Sequence, residues 1–134
     1  MRRLDNKELQ RLDDELFKFS NLDRSIRLRR EELTTKDPDN SSNGGHSGVS
    51  RPTETMAIKL LDDPTLKYLE SCKSVVQRLL DTLVENDKNI FNLRWRYPFL
   101  KWEEIAEKEF VSNATIYRRR RIILEQYATI KGDI

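Results

Sequence analysis

Four consecutive arginines, Arg118 to Arg121, follow Tyr117 in the stretch VSNATIYRRRRII at residues 111–123. A guanidinium is a rigid fork of donors that pairs with a phosphate, or doubly with the O6 and N7 edge of guanine. Asn113 can bond adenine N6 and N7 in the same paired way. Ser112, Thr115 and Lys101 suit phosphate oxygens, and the free amides of a helix start also favour an anion. These residue types point to contact with duplex nucleic acid.

Helix geometry sorts the arginines. Each residue of an α-helix turns the side-chain direction by about 100°. With Ile116 set inward, Arg118 lies at ~200° and Arg121 at ~140°, both outward, as does Ala114. Tyr117 points sideways at ~100°, and Arg120, at ~40°, lies toward the core edge. Arg119, at ~300°, borders the other side. Arg118 and Arg121 are therefore the best placed to reach bases or phosphates. Arg119 and Arg120 are expected to lay their stems on apolar neighbours and send their heads to flanking phosphates or acidic groups. Residues at the start of such a helix approach bases most closely; these are Ser112, Asn113, Ala114 and Tyr117.

The elements that must hold this strip lie just upstream. KWEEIAEKEF reads as one short helix and SNATIYRRRRIILEQYATI as the next, with Ser112 as its N-cap. Only a few residues around Phe110 and Val111 join them, which is the sequence form of a helix-turn-helix. Ala106 suits the crossing point, and Ile105, Val111 and Ile116 form a small core beneath it. Glu109-Phe110 stands where such motifs carry an apolar residue and then glycine. A differently shaped turn is expected, with Phe110 supplying the apolar contact. Ile116, Ile123, Tyr127 and Ile130 share one side of the last helix. DKNIFNLRWRYP supplies a further helix with Ile90, Leu93 and Tyr97 on one side and Pro98 ending it. The spacing of Trp95, Trp102 and Tyr97 favours core over base stacking.

Residues 5–34 also read as helix. Leu9, Leu12, Leu16, Phe19, Ile26 and Leu33 form one stripe, with a plausible break at Ser20-Asn21. KDPDNSSNGGHSGVSRP, residues 36–52, holds three of the four glycines and reads as a flexible connection. Helix resumes near Thr53, is interrupted at Asp62-Asp63-Pro64, and runs again from Pro64 or Thr65 to about Glu85. Leu66, Leu69, Cys72, Val76, Leu80 and Leu83 give that helix its apolar face. Packing the two long stripes together, within the chain or across a homodimer, buries both. The expected fold is all-α: an N-terminal helical segment 1–35, a linker 36–52, a central segment 53–86 packed on the first, and a helix-turn-helix domain 87–134.

Composition narrows the class. The chain has 134 residues and a formal charge of +2, but residues 52–87 carry a net −3 and residues 88–134 a net +4. The basic surplus is local and suits an anionic partner at one place. No signal-like run opens the sequence, no stretch approaches membrane-spanning length, and the one cysteine cannot form an intramolecular disulfide. A cytoplasmic location without membrane contact is expected. Enzymatic readings are weak. His46, the one histidine, stands alone in the glycine-rich stretch, and Cys72 reads as a buried small hydrophobe. Glu103-Glu104, Asp13-Asp14-Glu15 and Asp62-Asp63 are neighbours that point apart on a helix, so they read as solvated faces or helix-start charges. No cofactor or metal is expected.

In order, LDDELFKFSNLDRSIRLRREEL, NGGHSG, TETMAIKLLDD, LKYLESCKSVVQRLL and WEEIAEKEFVSNATIYRRRRII resemble the RinA-type phage late-transcription activators of Gram-positive bacteria. The resemblance spans nearly the whole chain, and the C-terminal unit also resembles the promoter-reading region four of sigma factors. It implies a DNA-binding activator of phage packaging and structural genes, acting at the late promoter in the bacterial cytoplasm. The N-terminal helices would serve oligomerisation or contact with host RNA polymerase. An alternative is a small terminase subunit, a ring-forming protein that recognises packaging DNA. A third class is a pure protein–protein module, which duplex binding would exclude.

Overall fold

The structure, a computed structural model, describes residues 3–35 and 52–134. Among them are seven helices and no strand: α1 Asn6–Lys18, α2 Leu22–Thr34, α3 Pro52–Asp62, α4 Pro64–Thr82, α5 Glu85–Arg94, α6 Trp102–Lys108 and α7 Asn113–Lys131. The protein is all-α over this span. None of these helices is long and apolar enough to cross a membrane. Of the expected connection at 36–52, residues 36–51, with His46 among them, lie outside the described residues, and Pro52 opens α3.

Local chemistry sets the helix ends. Asp5 and Glu8 cap α1 reciprocally: Asp5 Oδ1 accepts from the Glu8 amide at 2.8 Å, and Glu8 Oε1 from the Asp5 amide at 3.2 Å. The expected break falls at Phe19–Asn21, a single 3-10 turn. There the Ser20 hydroxyl donates to the Phe17 carbonyl at 2.7 Å. Asp63 separates α3 from α4 and caps the latter, accepting from the Leu66 amide at 2.7 Å, while Pro64 takes the first helical position.

The chain divides into two compact units, Met1–Ser20 with Lys73–Ile134, and Asn21–Cys72. This differs from the boundaries expected at 35, 52 and 86. The reason is burial. Leu9, Leu12 and Leu16 of α1 are at most 2% exposed and share a core with Leu79 of α4, Leu83 just past its end, Ile90 and Phe91 of α5, Ile105 of α6, and Ile123, Leu124 and Tyr127 of α7. Each such leucine contributes about 1.5–3 kcal/mol, so α1 is part of the C-terminal unit's core. In the other unit α2 packs with α3. Its Arg29 forks onto Asp63, Nη2 to Oδ1 at 2.6 Å and Nε to Oδ2 at 2.9 Å. Leu22, Ile26, Leu66 and Cys72 are buried there.

Several apolar assignments change. On α4, Leu79 is fully buried while Leu80 is only partly so. Tyr97 is 87% exposed instead of inward. Helix α5 ends at Arg94, so helical phase no longer applies at 97, and Trp95 takes the core position. Tyr97-Pro98 is a cis peptide, and the Leu100 amide donates back to the Leu93 carbonyl at 2.8 Å. Phe110, expected to supply an apolar contact, is 95% exposed.

Candidate nucleic-acid interface

The end of α6 explains Phe110. The Val111 amide donates to the Ala106 carbonyl at 3.0 Å and the Phe110 amide to the Glu107 carbonyl at 3.2 Å. This is the crossed pair of bonds that closes a helix through one left-handed residue. Phe110 is that residue, with φ 58°. Its backbone turns the chain, and its ring is left in solvent. Val111 is likewise 38% exposed, so the core under the crossing consists of Ile105, Ala106 and Ile116 without it.

Ser112 then starts α7 as expected. Its Oγ accepts from the Thr115 amide at 3.1 Å and lies 3.0 Å from the Thr115 hydroxyl. Ile116, Ile123, Leu124, Tyr127 and Ala128 are buried along one side, with Ile130 partly so. On the opposite side of the first turns Asn113, Ala114, Tyr117 and Arg118 are exposed. These positions fall one and four residues apart, so they form one strip. Lys101, exposed, precedes α6, where its amide donates to Glu104 Oε1 at 3.0 Å.

The arginines divide much as helix geometry predicts, with one exception. Arg118 is exposed and makes no side-chain bond among the described residues. Arg119 forks onto both oxygens of buried Asp87 in the first turn of α5, with Nε to Oδ1 at 2.8 Å. Arg120 turns inward and reaches Asp13 Oδ2 at 3.1 Å. Arg121 is the exception. It is half-buried, and its Nη1 donates to the Leu4 carbonyl at 2.8 Å and pairs weakly with Glu125 at 3.5 Å. The stretch leading into α1 covers that part of α7. A distant segment occupies the direction that helix geometry leaves open to Arg121.

Asp13 corrects another expectation. Read as part of a solvated acidic run, it is 1% exposed. Its Oδ1 accepts from Trp95 Nε1 at 3.0 Å, Arg94 Nη2 at 3.1 Å and Arg94 Nε at 3.2 Å. Its Oδ2 accepts from Trp102 Nε1 at 2.9 Å as well as from Arg120. One carboxylate thus ties α1 to α5, α6 and α7. The signal was present in the sequence: Asp13 stands four residues after Leu9 and three before Leu16, on the buried stripe. A second seam joins α1 to the end of α7, where Glu15 accepts from the Tyr127 hydroxyl at 2.7 Å and from Lys131 Nζ at 2.8 Å.

Glu103 was not singled out by spacing alone. From the first turn of α6 its Oε1 accepts the Tyr117 hydroxyl proton at 2.6 Å. That bond holds Glu103 below the usual carboxylate range and pushes the Tyr117 phenol up. The helix crossing at Ala106 brings positions 103 and 117 together, and that crossing was the signal that could have found the pair.

Among known proteins, residues 5–129 match the family described as "protein of unknown function (DUF722)", and the chain belongs to that family. No curated protein and no solved structure matches the chain.

Proposed function

We propose that the protein is a sequence-specific duplex-DNA-binding protein in which α6 and α7 act as a helix-turn-helix and α7 enters the major groove. The observation that carries the reading is the strip Asn113, Ala114, Tyr117 and Arg118. It is solvent-facing at the start of a helix whose opposite side is fully buried. A recognition helix needs this division, because its inner face must fix it while its first turns stay free for base edges. Arg118 serves as the principal base or phosphate contact, Asn113 as a second reader, and Lys101 and Thr115 as phosphate contacts. Arg119 and Arg121 have a mainly structural part, through Asp87 and Leu4. The resemblance to RinA-type proteins supplies the setting. The protein would activate phage late genes at their promoter together with host RNA polymerase, in the bacterial cytoplasm, as a monomer or homodimer.

The test is binding of the full chain to its phage's late-promoter duplex, measured by fluorescence anisotropy across a salt series. Arg118→Ala is expected to weaken binding by about 1–3 kcal/mol if it reads a guanine, with relaxed preference at one base position. Uniform weakening on every sequence, with a shallower salt slope, would assign it to phosphate. A wild-type chain indifferent to duplex DNA at moderate salt refutes the reading. Assembly into a large ring would move it toward the small terminase subunit.

A further inference from the structure

The phenol of Tyr117 lies on the exposed strip of α7, yet its proton is already committed. Its hydroxyl donates to Glu103 Oε1 at 2.6 Å. The direction of the bond follows from chemistry, since an ionised carboxylate only accepts and a phenol carries a single proton. The carboxyl is held ionised by this bond, and the phenol is made harder to deprotonate by the same contact. Toward a ligand, the tyrosine oxygen therefore presents lone pairs alone.

That restricts what it can meet in a DNA groove. Phosphate oxygens, guanine N7 and O6, and thymine O4 are all acceptors, so none can bond to it. The donors on the major-groove edge are the exocyclic amines, N4 of cytosine and N6 of adenine. The charge on Glu103 acts in the same direction, repelling a phosphate and attracting an amine. The pair is also braced from behind. The Tyr117 ring lies 6.5 Å from that of Trp102, whose indole nitrogen is fixed on Asp13 at 2.9 Å.

We infer that Glu103 is a positioning residue that makes Tyr117 an acceptor-only reader, selecting a base with an exocyclic amine at one position of the DNA site. The inference rests on the DNA-binding reading and narrows it, because it predicts which bases one position admits.

The experiment is selection from a randomised duplex pool with the full-length wild type, Tyr117→Phe, Glu103→Ala, Glu103→Gln and Arg118→Ala, each checked for an unchanged melting temperature. Wild type should enrich a site with one position at which adenine or cytosine exceeds guanine and thymine about three- to tenfold, the range of a single hydrogen bond. Tyr117→Phe should flatten that position. Glu103→Ala should relax it to admit guanine or thymine, leaving the other positions intact; Glu103→Gln, whose amide oxygen still accepts the phenol proton, should keep it; and Arg118→Ala should alter a different position. A specific wild-type site whose preferences survive Tyr117→Phe and Glu103→Ala overturns the inference and leaves the DNA reading standing. A wild type that enriches no sequence overturns both.

Discussion

Phe110 occupies a backbone conformation that glycine tolerates far better. The end of α7 shows the ordinary solution, where Gly132, at φ 89°, closes the helix with the same crossed bonds, Asp133 amide to Ala128 carbonyl at 2.8 Å and Gly132 amide to Thr129 carbonyl at 3.1 Å. A side chain in the left-handed region costs about 1–2 kcal/mol, and glycine returns part of that gain through its freer unfolded chain. The Phe110 ring has almost no burial to lose. Phe110→Gly should therefore stabilise the fold by about 1 kcal/mol. A thermal melt should rise by a few degrees, and a fall would mean that the ring has a contact worth keeping. At this scale the sequence was legible where one helix decides the outcome. Helix geometry alone separated Arg118, which faces solvent, from Arg120, which turns inward. It failed for Arg121 and missed the Tyr117–Glu103 bond, because both partners come from other elements and their approach depends on tertiary packing.

Between elements, Asp63 carries two duties at the α3–α4 junction. It caps α4 and receives the Arg29 fork from α2. The Arg29 bonds hold its carboxyl down at about 2, against an ordinary value of 3.8. Its contribution to stability is therefore complete above the unfolded value and fades as pH falls toward 2. Urea midpoints of wild type and Asp63→Asn, compared by far-ultraviolet circular dichroism, should differ by a constant amount above about pH 4 and converge below it. A constant difference down to pH 2 would show that the charge of Asp63 is not what matters there. Two helix starts were legible because each carries its own chemistry, Pro64 at the first position of α4 and Ser112 capping α7. The end of α5 was not. Pro98 marked a limit, but the chain leaves the helix at Arg94 so that Trp95 can reach Asp13.

At the scale of the molecule, α1 is a structural part of the unit that holds α6 and α7. Residues 87–134, which look self-sufficient as a sequence, lack Leu9, Leu12, Leu16 and Asp13. A fragment of those residues should show little cooperative melting. In the full chain, Asp13→Ala should cost about 3–5 kcal/mol, since it takes the carboxylate from two guanidinium groups and from the Trp102 indole, while Trp95 keeps the Asp13 carbonyl at 3.1 Å. A fragment melting as sharply as the full protein, or an Asp13→Ala chain with unchanged urea midpoint, would refute this. The domain boundary was illegible for a plain reason. Asp13 and Trp95 stand 82 positions apart, and periodicity records which face of a helix is buried without recording what buries it.

Both tryptophans of the chain, Trp95 and Trp102, bond through their indole nitrogens to the same carboxylate. Intrinsic fluorescence is therefore a single-address signal. Its emission wavelength follows the seating of α1 on its neighbours and carries nothing from residues 21–72, where no indole exists. The molecule comes with a built-in optical gauge for one junction, readable without labels.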